Sequence, residues 1–253
     1  MKSKNTMTLD RVLSRFGLAS RSAARDAILA GRVKVDGRVV RDPDLWTEPR
    51  TAAIHLDGKR LRQARKVYLL FYKPKGVITS HGDPEGRKTV YDCLGPGVPW
   101  VSPVGRLDKD TSGLLLLTND TDFANHVTDP ASQIPKTYLV KANTLVSDEL
   151  IAGISQGTDL KRGDRAEPQS VRRVEDRGKY TWLEIVLTEG KNREVRRLLE
   201  AVGLKALKLV RTRIGPCTLE GLQVGQFRDL LPSERALFYE QKRIRDSKFE
   251  IRD

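Results

Sequence analysis

The sequence predicts an α+β protein in two parts, a small N-terminal domain of two helices and a β-hairpin, and a larger domain dominated by a mixed, mainly antiparallel sheet. The N-terminal stretch holds two short runs at helical spacing and one hairpin signal. From Val67 onward, apolar strand-like runs alternate with helical runs through short connections, which by itself suits either an α/β or an α+β domain. The predicted divisions are an N-terminal domain (8–56), a polar and basic linker (57–66), the larger domain (67–231) and a charged C-terminal tail (232–253).

The N-terminal elements follow from apolar spacing and capping residues. Apolar residues recur at helical spacing over 9–16, and Gly17 is a suitable stop. A second helix is capped by Ser20 or Ser22 and ends at Gly31. Valines then alternate with charged residues on both sides of an Asp-Gly turn at 36–37, which predicts a hairpin.

The larger domain shows strand-like and helical runs in turn. Predicted strands cover 67–72, 77–80, 114–117, 134–141, 165–174, 180–187, 207–214, which is dense in basic residues, and 226–230. Predicted helices are a short turn at 90–94, a helix over 147–156 and one within the tail. Another starts near Thr121, with Asn119 or Asp120 as its cap. Residues 188–202 form a glycine turn that leads into an amphipathic helix.

Residues 104–120 are the most informative stretch. A turn cluster holds a lone leucine between Arg106 and Asp108, and four consecutive leucines (114–117) suit one buried strand. Asp108 is therefore expected on a tight loop at the mouth of a buried strand, a common setting for a catalytic carboxylate. Asp, Gly, Ser and Thr are also turn formers, so spacing alone fits an ordinary surface turn as well.

Charge indicates a polyanionic partner. The formal net charge is +13 and the sequence pI is about 9.9. Residues 1–66 hold 16 Lys and Arg against 7 Asp and Glu, so most of the surplus lies in the first quarter of the chain. The hairpin and the first turn of the second helix hold several of these cations, and a helix N-terminus with nearby arginines can bind phosphate.

Cysteine, histidine and hydropathy patterns bear on disulfides, metal binding and cellular location. Cys93 and Cys217 lack CxxC spacing and are expected to be isolated thiols in a reducing compartment. The three histidines show no metal-ligand spacing, and no metal or cofactor is expected. Without an apolar run long enough to span a bilayer or a signal-peptide pattern, a cytoplasmic location is expected.

Three motifs resemble known families. GRLDKDTSGLLLLTND (105–120) resembles the central motif of the pseudouridine synthases, in the branch that modifies ribosomal RNA. YKPKGVITS (72–80) resembles the opening strands of the catalytic domain in that family. RxLSRxGLASRxxAxxxIxxGRVxVDGxxV resembles the S-four-like RNA-binding domain, over roughly 8–56.

The resemblance implies an isomerase that converts a specific uridine of ribosomal RNA into pseudouridine. Such an enzyme breaks the bond between uracil and C1′ of ribose, turns the base and rejoins it through C5. No atoms are gained or lost, so no cofactor is required, but the target base must leave its stack. The expected partner is structured ribosomal RNA, free or in a pre-ribosomal particle, and the protein is expected to act as a monomer.

The resemblance also assigns three catalytic residues. Asp108 matches the catalytic aspartate, which acts either as a nucleophile or as a base at the sugar. Tyr138 matches the tyrosine that stacks on the target uracil and is a candidate for handling the C5 proton. Arg196 matches the basic residue that pairs with the aspartate, with Arg197 as a rival by one position, and a cation within ~4–6 Å favours an ionised carboxylate. The family usually has glutamine where this chain has Glu194.

Further residues are expected to bind RNA. Arg106 either enters the RNA stack in place of the flipped base or binds phosphate. The predicted RNA-binding residues are Arg11, Arg15, Arg21, Arg25, Arg32, Lys34, Arg106, Lys136, Arg193 and Arg197. One alternative function is a non-catalytic RNA-binding factor in ribosome assembly with a synthase-like domain. The other is a different RNA enzyme. That second alternative lacks support because the chain shows no G-x-G-x-x-G motif after a strand.

Overall fold

The computed structural model describes residues 6–16, 20–62, 64–95, 97–160 and 163–249, and describes only the backbone over 241–249. Gly17, the expected stop of the first helix, lies outside these residues. The chain forms two compact units. The first contains the N-terminal residues up to Tyr68 with the segments 97–102 and 118–121, and the second contains the remaining described residues from Leu69.

The N-terminal part has two helices and short strands around a small apolar core. Its elements are β1 (Met7–Thr8), α1 (Leu9–Arg15), α2 (Arg21–Leu29), β2 (Val33–Val35), β3 (Arg38–Val40), β4 (Trp46–Thr47), β5 (Ile54–Leu56) and β6 (Lys59–Arg60). Strands β3, β2, β5 and β6 form one sheet in that order, and β1 pairs with β4. The apolar faces of both helices pack with Val33 and Ile54, as expected from their spacing.

Local sequence signals account for these elements. The side chain of Ser20 accepts a hydrogen bond from Ala23 N at 3.1 Å, so Ser20 rather than Ser22 caps α2. Asp36 and Gly37 both have positive φ, as a type I′ turn requires, and the predicted hairpin is confirmed. Asp57 and Gly58 repeat this turn and pair β6 with β5, so part of the expected linker belongs to this sheet.

The remaining elements build the larger domain. They are β7 (Tyr68–Lys73), α3 (Tyr91–Leu94), β8 (Ser102–Pro103), β9 (Ser112–Thr118), α4 (Thr121–Thr128), β10 (Lys136–Ala142), α5 (Asp148–Ser155), β11 (Thr158–Asp159), β12 (Arg165–Ala166), β13 (Ser170–Arg177), β14 (Tyr180–Leu187), α6 (Glu194–Ala201), β15 (Ala206–Ile214), β16 (Cys217–Thr218), β17 (Phe227–Asp229) and α7 (Pro232–Phe249).

One mixed sheet organises this domain. Its strand order in the described part of the chain is β13-β14-β10-β15-β9-β7-β17, with β16 beside β15 and β8 beside β9. Strands β15 and β9 run parallel, whereas β13–β14, β14–β10, β10–β15 and β7–β17 are antiparallel. The predicted mixed, mainly antiparallel sheet is confirmed. Helices α5 and α6 cover one face of β10, β14 and β15 with apolar side chains.

Three expected elements differ in detail. The strand expected over 77–80 is a single bridge between Ile78 and Thr89. The strand expected over 165–174 is divided into β12 and β13, with Pro168 between them, where a missing N–H suits an interruption. The C-terminal tail forms α7, and its Phe238 is buried edge-on to Phe123. No helix in the described ranges is long and apolar enough to cross a membrane.

Candidate active site

Asp108 lies on the loop between β8 and β9, and the preceding residues of the chain hold this loop in place. Thr79 Oγ1 donates to Leu107 O at 2.8 Å, and Leu107 N donates to Thr79 Oγ1 at 3.3 Å. Gly76 N donates to Lys109 O at 2.8 Å. Leu107 is buried, whereas the Asp108 side chain keeps 32% of its surface exposed. The loop thus presents a carboxylate from a fixed backbone, as predicted from the sequence pattern.

A buried lysine supports the same loop. Lys73, at the end of β7, is fully buried and donates from Nζ to Thr111 O at 2.9 Å and to Pro74 O at 3.0 Å. Burial lowers the pKa of Lys73 to about 8, although the charge of Asp108 opposes this shift. Lys73 therefore adds a cation beneath the loop that holds Asp108.

A cavity of about 610 Å³ opens beside Asp108. Its volume is in the range that small-molecule sites have. Its wall combines charged, aromatic and apolar side chains from the loop, β10, α6 and β15. The charged and aromatic residues that line it include Arg106, Asp108, Tyr138, Arg193, Glu194 and Arg211.

Tyr138 lies in the middle of β10 and lines the cavity with Asp108. It is half-buried and packs against the apolar core under α5 and α6. Its cross-strand neighbours are Ile185 on β14 and Arg211 on β15. The predicted stacking tyrosine and the predicted carboxylate thus share one cavity.

The arginine that pairs with Asp108 is Arg193, not Arg196. In the described part of the chain, Arg193 Nη1 lies 3.7 Å from Asp108 Oδ2. Arg193 precedes the first turn of α6 and has a φ of +49°, which is uncommon for a residue other than Gly, Asn or Asp. Its predicted role in RNA binding stays a prediction, because its side chain keeps 45% of its surface exposed beside the carboxylate.

Arg196 and Arg197 make other contacts. Arg196 Nη2 donates to Asp110 O at 3.0 Å and Nη1 donates to Ala206 O at 3.2 Å. The Arg196 side chain therefore contacts the backbone of the loop that holds Asp108. Arg197 forms an ion pair with Asp164 at 2.6 Å. Successive helical residues point about 100° apart, which explains why the two side chains diverge. The expectation that Arg196 pairs directly with the Asp108 carboxylate is not met in this geometry.

Glu194 and Lys136 form a buried charged wall of the cavity. Glu194 is 4% exposed, and burial, with the charge of Glu189, raises its pKa to about 7. Lys136 is also buried and donates to Thr188 O at 3.1 Å. Burial and the charge of Arg211 lower the pKa of Lys136 to about 8. Lys136 therefore lies in the wall of the cavity, and its predicted contact with RNA stays a prediction.

Several arginines predicted to bind RNA in the N-terminal domain are held by acids. Asp10 is fully buried and accepts hydrogen bonds from Arg21 and Arg25. Burial would raise the pKa of Asp10, but the hydrogen bonds from Thr8, Arg21 and Arg25 outweigh it and lower the pKa to about 2. Arg25 also pairs with Asp44.

The other predicted cations of this domain differ in exposure. Arg32 pairs with Asp57, Arg15 is half-buried, and Arg11 and Lys34 are exposed. Arg106, on the loop of the larger domain, is exposed where it lines the cavity.

Sequence reasoning missed several residues of the site. Lys73 ends an apolar strand, which is a weak signal for a buried lysine. Thr79 lies in a run predicted as a strand, and Thr111 resembles an ordinary turn residue. Arg211 lies in a strand dense in basic residues, and only the register with β10 shows that it faces the cavity.

Comparison with known proteins shows the family to which the chain belongs. The family model for RNA pseudouridylate synthase matches residues 67–201, which is more than half of the chain and includes Asp108, Tyr138 and Arg196. The chain belongs to this family. The S4 domain model matches residues 7–45, which include both N-terminal helices and the hairpin.

Curated relatives and a solved structure extend the likeness. The chain is 38% identical over 227 residues to ribosomal large subunit pseudouridine synthase B of Bacillus subtilis, covering 89% of this chain and 93% of the relative. It is 39% identical over 232 residues to an RNA pseudouridine synthase of Aquifex aeolicus, covering 91% and 93%. A crystal structure of a pseudouridylate synthase superposes with a TM-score of 0.66 at 27% identity, covering 92% of this chain and 99% of the other.

Proposed function

We propose that this pseudouridine synthase acts on a specific uridine of ribosomal RNA. The observation that carries the proposal is the cavity in which the Asp108 carboxylate, the Arg193 guanidinium and the Tyr138 ring converge. The names of the Bacillus subtilis relative and of an Escherichia coli relative, 37% identical over 88% of this chain, indicate a ribosomal RNA substrate. A basic N-terminal S4 domain suits a large structured RNA.

The proposal gives each of these groups a role. The target nucleotide leaves its stack and enters the cavity, where its base stacks on Tyr138. Asp108, held by the loop, acts either as a nucleophile or as a catalytic base at the sugar while the bond between N1 and C1′ breaks. The uracil then turns and rejoins the ribose through C5. Arg193, at 3.7 Å, keeps the carboxylate oriented toward the cavity. Arg106, exposed at the cavity, supplies either a planar surface for neighbouring bases or a contact to phosphate.

The protein is proposed to act as a monomer in the cytoplasm, on free ribosomal RNA or on a pre-ribosomal particle. A non-catalytic role in ribosome assembly is less consistent with the site. A decayed enzyme has no need to hold an exposed carboxylate on a loop fixed by Thr79, Gly76 and Lys73.

The Asp108→Asn variant tests the proposal, and Asp110→Asn is its matched control. Asn keeps the shape of the side chain but cannot act as nucleophile or base, so isomerisation is expected to fall by about a hundredfold or more. Asp110 is exposed two residues further along the loop, and its variant is expected to retain activity. Pseudouridines are mapped across ribosomal RNA from cells with the protein, without it, and with each variant. An unchanged map without the protein would overturn the proposed substrate.

A further inference from the structure

Arg211 is a buried cation to which the chemistry above gives no role. It is 6% exposed, and its Nε donates to Leu114 O at 2.8 Å. Its Nη2 is buried and has no hydrogen-bond partner among the described residues. A buried donor left unpaired is destabilising, and more so when it is charged, so such a group requires an explanation.

The charges around Arg211 do not explain it. Its charge lowers the pKa values of Lys73 and Lys136, so two like charges lie near it. In the described ranges, its guanidinium forms no ion pair with an acid within 4.0 Å. A buried guanidinium without a carboxylate is strongly unfavourable unless another group satisfies it. The missing partner is therefore expected to enter the cavity from outside.

The backbone fixes Arg211 beside the place where a base is expected to stack. Arg211 and Tyr138 are register partners on β15 and β10, and such cross-strand neighbours have Cβ atoms about 4.5–5.5 Å apart on the same face. On the other side, Arg211 pairs with Gly113 of β9, close to the loop of Asp108. All three of Tyr138, Arg211 and Asp108 line the cavity.

We propose that Arg211 is a further catalytic residue, whose guanidinium donates to a carbonyl oxygen of the target uracil, O2 or O4. This inference rests on the proposed function. When the bond between N1 and C1′ breaks, its electron pair stays with the base, and the negative charge spreads onto both carbonyl oxygens. After C5 bonds to C1′, the C5 proton leaves and N1 is protonated, so the product is an isomer of the substrate. A buried cation already in place stabilises the transient anion without reorganisation.

A phosphate is the alternative ligand for a guanidinium, but the position of Arg211 disfavours it. Phosphates remain on the outside of a flipped nucleotide, where an exposed cation at the cavity such as Arg106 is more accessible to them than Arg211. Arg211 is buried next to the stacking tyrosine, where a base edge reaches it.

The test is a chemical double-mutant cycle. An RNA fragment containing the mapped target uridine is prepared with uridine, 2-thiouridine or 4-thiouridine at that position, since sulfur is a weaker hydrogen-bond acceptor than oxygen. Single-turnover rates are measured for the wild-type protein, Arg211→Met, Arg211→Lys and the control Arg213→Met. Arg213 lies on the same strand but is exposed and donates to Gly215 O.

For one of the two sulfur positions, the ratio of uridine rate to thiouridine rate is expected to change by about tenfold or more between wild type and Arg211→Met. Arg213→Met is expected to keep the wild-type ratio. Arg211→Met is also expected to lower kcat more than it raises KM for RNA, because the contact strengthens as charge develops. Thermal unfolding establishes that each variant is folded. If Arg211→Met does not fold, Arg211→Lys provides the comparison.

Ratios that are the same in wild type and in the folded Arg211 variant would overturn the inference. Loss of RNA affinity alone, with kcat and the ratios unchanged, would assign Arg211 to a phosphate and also overturn it. Neither result affects the proposed function, which fails only if the wild-type protein forms no pseudouridine in ribosomal RNA.

Discussion

At the scale of single residues, Glu194 is the group whose charge state the structure alters most clearly within the site. Its ordinary pKa of 4.5 rises to about 7, mainly because it is buried. Its Oε1 has no hydrogen-bond partner among the described residues, while Oε2 accepts from Lys191 N at 3.0 Å. The family usually has glutamine here, which has a similar shape but no charge. Ionisation of Glu194 in the folded protein therefore lowers the stability of the folded state.

The Glu194→Gln variant is expected to be more stable than the wild type at pH 8 but not at pH 4. Between pH 4.5 and about 7, the unfolded chain releases the Glu194 proton while the folded protein keeps it, so stability falls as the pH rises through this window and then stays level. The gain at pH 8 is on the order of 2–3 kcal/mol. Urea unfolding at both pH values measures it. Equal effects at pH 4 and pH 8 would show that the difference does not come from ionisation.

At the scale of elements, local signals predicted most of the fold. The serine cap of α2, the Asp36-Gly37 turn and the four leucines of β9 each have a local cause, and each prediction was confirmed. What could not be predicted depends on contacts between distant parts of the chain. Arg211 faces the cavity because β15 pairs with β10 in this register. Arg193 reaches Asp108 from the position immediately before the first residue of α6.

Gly113 shows how closely β9 and β15 approach each other. A Cβ on Gly113 would lie 2.3 Å from Arg211 O and 2.4 Å from Arg211 N, and its φ of +121° is unfavourable for other residues. Gly113→Ala is therefore expected to lower the free energy of unfolding by about 3 kcal/mol or more. Gly153, inside α5, has open space at its Cβ, and Gly153→Ala is expected to stabilise by about 0.5–1 kcal/mol. Chemical denaturation of both variants tests this contrast, and a well-tolerated Gly113→Ala would contradict the close strand pairing.

At the scale of the whole molecule, charge is divided unevenly along the chain. Residues 1–66 hold a net charge of +9 out of +13. Part of this charge is internally compensated, because Arg21, Arg25 and Arg32 pair with acids. Exposed cations on α1 and the hairpin, such as Arg11, Lys34 and Arg38, therefore provide the clearest test of the expected electrostatic contact with RNA.

Replacing Arg11, Lys34 and Arg38 together with glutamine is expected to weaken RNA binding and flatten its salt dependence. Each phosphate contact adds ~0.7 to ~0.9 to the slope of log K against log salt, so three lost contacts lower the slope by about 2–3 units. The control replaces three exposed cations of the larger domain, Arg177, Lys179 and Lys205, and removes the same net charge. Affinity for a ribosomal RNA fragment is measured at several salt concentrations for both variants. If the two slopes fall equally, net charge explains the effect, and if neither falls, the N-terminal cations do not contact RNA.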